Sequence, residues 1–308
     1  MRTARRLILA VAATSGLFGL ALSFPPVAPA LLLVPLPGLL LATRRWMGEY
    51  TLWFLFATST VATMWGTHVA PAFVLPFGVP ALAFAASMRR GWCFETAVLA
   101  GIAAWSVGVT LLLLLAFGTP PAVMAAAQAQ LADSIDRALS TYASLGISPG
   151  TVAAFAGERE AVVRALLETL PAVLVLTGAL MIMLNVALLR RWGDAFHDLD
   201  LRRWRSPEAL IWILIAAGFG MFAPNPLVTL VARNVFIVVL GCYFCQGLAI
   251  VSYYLDRFRL PRGIRVAGYL LIGVQHVLAA VVLALGVFDL WGNFRRLGNG
   301  PALHADGD

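Results

Sequence analysis

The sequence contains no lysine; all 22 of its basic residues are arginine. That absence excludes a P-loop motor, whose lysine reaches the β- and γ-phosphates. It also excludes a Schiff-base retinal or pyridoxal cofactor, which needs a lysine amine. Charge of either sign is scarce: 12% of the 308 residues are charged and 61% are hydrophobic, with a mean hydropathy of +0.87. Soluble domains carry roughly 25% charged residues, and a soluble fold with half that would expose apolar patches large enough to aggregate. No G-x-S-x-G, H-E-x-x-H or Rossmann glycine pattern occurs, so no enzyme is expected. The net charge of +7 does not point to nucleic acid, because the arginines sit at the ends of apolar runs and no basic soluble domain is left to hold a duplex.

What remains is a succession of apolar runs, most of them about 16–25 residues long, alternating with short arginine clusters, the pattern of a chain whose solvent is lipid. Arg2, Arg5 and Arg6 precede the first run, Leu7–Phe24, and a second run, Leu31–Ala42, follows at once. Ala28-Pro29-Ala30 resembles a signal-peptidase site, but the length of the first run and the closeness of the second favour an uncleaved helical hairpin. Further spans are expected over Tyr50–Thr67, Val69–Met88, Thr96–Phe117, Thr169–Leu189, Glu208–Phe222, Leu227–Leu255 and Val266–Phe288. The expected fold is therefore all-α: a polytopic transmembrane helical bundle of about eight or nine spans.

One long polar interruption, 118–168, breaks this pattern. Met124, Leu131, Ile135, Leu139, Tyr142 and Leu145 recur at helical spacing, predicting an amphipathic helix. Gly146 is expected to stop it, and Ser148 and Pro149 to cap and start another. Glu160, Arg164 and Glu168 are set as i,i+4 pairs on that second helix, which continues into the sixth span. Four regions follow: an N-terminal membrane part (1–117), an extracytoplasmic helical segment (118–168), a C-terminal membrane part (169–288) and a tail (289–308). With the N-terminus in the cytoplasm of a bacterial inner membrane, nine spans put sixteen arginines inside and five outside, a strong positive-inside bias. The weak point is Arg295 and Arg296, which fall outside unless one span is re-entrant; the seventh span and the start of the eighth are the expected sites of such a break.

Polar groups inside hydrocarbon are costly and mark functional hypotheses. Those expected to contact a small solute are Arg233, Asn234 and Gln246 on the eighth span, Gln275 and His276 near the middle of the ninth, and Asn225 in the break Ala223-Pro224-Asn225-Pro226. Gln246 and Gln275/His276 reach comparable depths if the last two spans are antiparallel neighbours. Asn185 and His68 are further polar residues in or between spans. Cys242 and Cys245 have C-x-x-C spacing, which can signal redox or metal chemistry, but within an apolar span they read as small packing residues. Asp194, His197, Asp198 and Asp200 form a compact acid/histidine cluster that reads as an ion-paired loop among arginines, so neither a metal nor a cofactor is expected.

Several stretches carry a family resemblance: Leu201-Arg202-Arg203-Trp204-Arg205-Ser206-Pro207, Gln246-Gly247-Leu248, Leu260-Pro261-Arg262, and Asp289-Leu290-Trp291-Gly292-Asn293-Phe294-Arg295-Arg296-Leu297. Through these the chain resembles the YybS-like family of predicted bacterial membrane proteins. The resemblance implies a membrane core similar to the substrate-binding S components of energy-coupling-factor transporters, which bind a small molecule from outside and work with a transmembrane coupling subunit and ATPases. Nine spans and a large outer insertion depart from a simple S component. The leading expectation is thus a solute-binding or solute-moving membrane protein, and the alternative is a scaffold or assembly factor for an envelope complex. A third reading, a membrane redox enzyme, would use Cys242 and Cys245.

Overall fold

The computed structural model describes residues 2–44, 47–146, 149–192, 204–292 and 294–295. Every regular element among them is helical. The chain forms two compact units, Met1–Ala195 and Phe196–Asp308.

The first unit begins with α1 (Arg2–Ser23), a 3-10 stretch over Pro25–Leu33, α2 (Leu36–Arg44) and α3 (Met47–Trp65). The expected fourth span is a composite. After a 3-10 turn at Thr67–Val69 come α4 (Ala70–Phe73), a π-turn at Val74–Gly78 and α5 (Val79–Arg89). Pro71, Pro76 and Pro80 explain the irregularity, since each lacks the N–H that a regular ladder needs. The Tyr50 hydroxyl donates to the Gly78 carbonyl at 2.9 Å, steadying this region from α3. Around it lies an aromatic core, with Phe18 edge-on to Phe73 and Phe77, and Phe77 edge-on to Trp105 of α6 (Phe94–Phe117). Trp53, fully buried, donates its indole N–H to Thr14 at 3.1 Å, so the one polar atom of this large apolar side chain is satisfied.

The polar interruption folds as α7 (Pro120–Ser144) and α8 (Pro149–Gly157), followed by α9 (Arg159–Trp192). Gly146 has φ +78°, as a helix stop requires; Ser148 lies outside the described residues. The 34-residue α9 runs without a break from the polar segment into the sixth expected span. Arg159 grips the Asp136 carboxylate with two hydrogen bonds of 2.7 Å, tying the start of α9 to α7. That bond, with the positive charge behind it, holds the Asp136 carboxyl below its ordinary range. Asn185, buried on α9, donates to the carbonyls of Leu32 and Met181 at 2.6 and 2.7 Å, so it ties helices together. Beside it is a cavity of about 10 Å³, room for no more than one water molecule.

The second unit contains α10 (Ala209–Gly220), α11 (Pro226–Arg257), α12 (Arg262–Val274) and α13 (His276–Gly292). Ile211 of α10 packs with Val239 and Tyr243 of α11, and Leu283, Val287 and Leu290 of α13 close over them. The backbones of α11 and α13 meet directly, because a Cβ at Gly247 would strike the Val282 carbonyl and one at Gly286 the Tyr243 carbonyl.

Among the described residues, five helices are long and apolar enough to cross a membrane: Ala4–Ser23, Thr67–Arg89, Phe94–Phe117, Arg159–Arg191 and Pro226–Arg257; a sixth is counted if the bent pair α12–α13 is one span. The apolar helices over Pro26–Leu41 and Ala209–Gly220 are shorter. The expected ninth span is not straight. It breaks at Gln275, whose backbone is extended, and α12 and α13 are bent by 100°. Gly268 and Gly273 weaken the helix just before the break. This break is additional to the interruption between α10 and α11 at 221–225, where the sequence reading expected one. α12 leaves the C-terminal end of α11, yet α13 ends beside Gln246 and Tyr254 in the C-terminal half of that same helix, so the pair goes out and returns. Large apolar side chains cover the helix surfaces, with Leu115, Trp212, Phe219 and Phe222 each at least 70% exposed, as lipid-facing helices require.

Candidate functional site

Three of the stretches that carry the family resemblance converge in the second unit, although they are some 40 residues apart in sequence. Gln246 is the hinge of the cluster. Its Oε1 accepts from the Ser206 backbone N–H at 3.1 Å and from the Ser206 hydroxyl, and its Nε2 donates to Asp289 Oδ2 at 3.1 Å. The same oxygen of Asp289 receives the Arg295 guanidinium at 2.7 Å, while Asp289 Oδ1 accepts the Phe294 N–H at 2.9 Å. Arg295 also donates to the Trp204 carbonyl at 3.0 Å. Arg205 donates to the carbonyls of Asp289 and Leu290 at 2.9 and 3.2 Å, a favourable place for a cation because the last carbonyls of a helix carry partial negative charge. The Tyr254 hydroxyl holds the Phe294 carbonyl at 2.8 Å.

The Asp289 and Arg295 side chains are 2% and 0% exposed. A buried ion pair gives little net stability over an apolar substitute, but removing one partner strands the other charge out of water. The arrangement is therefore a clasp: it fixes the segment before α10, the middle of α11 and the end of α13 in one register. It places Arg295 at the same end of the unit as Trp204–Ser206, an arrangement that the sequence reading allowed only if one of the nine spans is re-entrant.

Of the residues expected to form a solute site, only Gln246 belongs to this cluster. Gln275 and His276 are exposed at the bend between α12 and α13, away from Gln246. Asn225 caps α11, its Oδ1 accepting from Leu227 N at 2.9 Å and Val228 N at 3.4 Å. Replacing Asn225 by alanine should lower stability by about 1 kcal/mol, read as a lower thermal unfolding midpoint in detergent; no change would remove the cap from the account. Asn234 bonds back to the Leu230 carbonyl of its own helix at 2.9 Å. Arg233 is half-buried on α11, about two turns from Asn225. Cys242 is half-buried and Cys245 exposed, both as free thiols, and His68 is exposed in its 3-10 turn. Asp194, His197, Asp198 and Asp200 lie outside the described residues, and among the described residues no group of His, Cys, Asp or Glu is arranged to hold a metal.

The sequence reading did not single out Arg205, Ser206, Asp289 or Arg295 as site residues. One signal was present: Asp289 is the sole acid between Asp256 and Asp306. Because the apolar run ends at Phe288, the sequence alone groups Asp289 with the polar tail.

A family model described as a predicted membrane protein, DUF2232, matches residues 12–290. No curated protein and no solved structure matches the chain.

Proposed function

Because the chain belongs to the DUF2232 family of predicted membrane proteins, we propose that it is a non-enzymatic inner-membrane subunit that recognises a small solute in the manner of a transporter S component. The observation that carries this is Arg233, a charged residue within the apolar α11 and only half-buried. A cation within an apolar span is costly and by default marks a functional residue. In this reading the N-terminus is cytoplasmic, α7 and α8 form an extracytoplasmic cap, and a coupling subunit with ATPases supplies the energy. The returning α12–α13 pair acts as a re-entrant element, so the chain crosses eight times and Arg295 joins the sixteen arginines on the cytoplasmic side, strengthening the positive-inside bias.

The test is a thermal-shift screen of the detergent-purified chain against a panel of water-soluble vitamins. At least one is expected to raise the unfolding midpoint of the wild type and to leave an equally stable Arg233→Leu variant unmoved. A panel without effect, or a variant that responds as the wild type does, overturns the solute reading.

A second reading, a scaffold for an envelope complex, draws on the α12–α13 bend. Gln275 and His276 are exposed there between Val274 and Val277, which are 75% and 66% exposed. A broken backbone at membrane depth needs protein around it. Photo-crosslinking from position 277 in intact membranes separates the readings: a transporter coupling subunit favours the first and an envelope-synthesis complex the second. Crosslinks to lipid alone contradict both.

A further inference from the structure

The turn that joins α11 to α12 holds its backbone in an unusual way. Arg259 has φ +51°, the only left-handed conformation at a non-glycine residue among the described residues. It sits just past the end of α11, where Arg259 N donates to the Asp256 carbonyl at 2.8 Å and Leu260 N to the Leu255 carbonyl at 3.2 Å. Helices that stop this way normally place glycine or asparagine at the left-handed residue, because a larger side chain crowds its own backbone. Arg265 braces the turn from α12, donating to the Leu260 carbonyl at 2.8 Å and to Asp256 Oδ1 at 3.0 Å. An arginine is thus held where local chemistry favours glycine, and the turn around it is reinforced.

The side chain at that position has company. Arg257, Arg259 and Arg262 are all exposed, and none has an ion-pair partner among the described residues. Apolar groups surround them: Phe258 is 67% exposed, Ile264 54% and Val266 58%. The apolar helix α11 ends at Arg257, so the three guanidinium groups stand where hydrocarbon gives way to headgroups. We propose that the Arg257–Arg262 turn is a binding surface for anionic phospholipid. Its arginines take the headgroup phosphates, which their planar forks match in geometry, while Phe258, Ile264 and Val266 lie against the acyl chains. The left-handed Arg259 holds the middle guanidinium in this array. The surface requires a membrane protein but not the solute reading, and it stands if Arg233 proves unimportant.

The test uses the full chain in a neutral detergent, titrated with phosphatidylglycerol and, separately, with phosphatidylcholine, following the unfolding midpoint. Phosphatidylglycerol is expected to stabilise the wild type and phosphatidylcholine to have little effect. Each arginine near an anionic surface contributes about fivefold in affinity, so a variant with Arg257, Arg259 and Arg262 all changed to glutamine should bind roughly a hundredfold more weakly. Arg259→Gly gives the sharper result. Without lipid its midpoint should rise, because glycine relieves the left-handed strain, while its response to phosphatidylglycerol falls. A purely structural role would raise the first without lowering the second. Changing Arg5 and Arg6 to glutamine should leave the lipid response intact. The proposal is overturned if the triple variant keeps the wild-type response, if the Arg5/Arg6 variant loses as much, or if glycerol 3-phosphate in solution reproduces the effect.

Discussion

Replacing Asp289 by alanine is expected to destabilise the protein by about 3–5 kcal/mol, the cost of leaving a buried guanidinium without its carboxylate. Arg295 is fully buried against that carboxylate and cannot turn to water without unpicking its bond to the Trp204 carbonyl. Gln246 would lose its acceptor at the same time, and the Phe294 N–H would lose another. Arg295→Met should be damaging for the mirror-image reason, as it strands Asp289. The two changes together should be less damaging than the sum of the singles, since an apolar pair leaves no stranded charge. Thermal or denaturant unfolding in mild detergent gives all three values, and single variants as stable as the wild type would show that these groups reach water.

The second large effect concerns Gly286. A methyl group there would be driven into the Tyr243 carbonyl, which is backbone and cannot swing aside. Gly286→Ala should therefore separate α11 from α13, and such overpacking costs about 1–3 kcal/mol. It should also loosen the clasp one turn further along, because Asp289 follows Gly286 on the same helix. Gly268→Ala provides the contrast. Nothing lies within 4 Å of a Cβ at that position, so alanine should be neutral or stabilise the helix by up to about 1 kcal/mol. Equal effects of the two substitutions would contradict the close crossing.

The sequence was informative wherever a short-range rule applied. Lipid as the solvent followed from charge content, α7 from the period of its apolar residues, and the start of α11 from Asn225 and its flanking prolines. Each of these depends on neighbours along the chain. The break at Gln275 was less legible, because the apolar run of the last segment passes through it without a proline, and only Gly268 and Gly273 precede it. The clasp was not legible at all as a site. Arg205 looked like one of several loop arginines, Arg295 like part of a tail, and Asp289 like the residue after a span. Their pairing is set by how α10, α11 and α13 pack, which no local period encodes. The family resemblance nevertheless ran through these same stretches, since Trp204–Ser206, Gln246 and Asp289–Arg295 all lay within the motifs that carried it.

The central claim is that these distant stretches form one buried unit, and a double-mutant cycle on Gln246 and Asp289 tests it most directly. The two are 43 residues apart, so no local helix effect can couple them. Unfolding free energies of Gln246→Leu, Asp289→Asn and the double variant should show a coupling of about 0.5–3 kcal/mol, as residues in one hydrogen-bonded network do. Additivity to within about 0.5 kcal/mol would mean that the two side chains act independently and that the clasp does not exist.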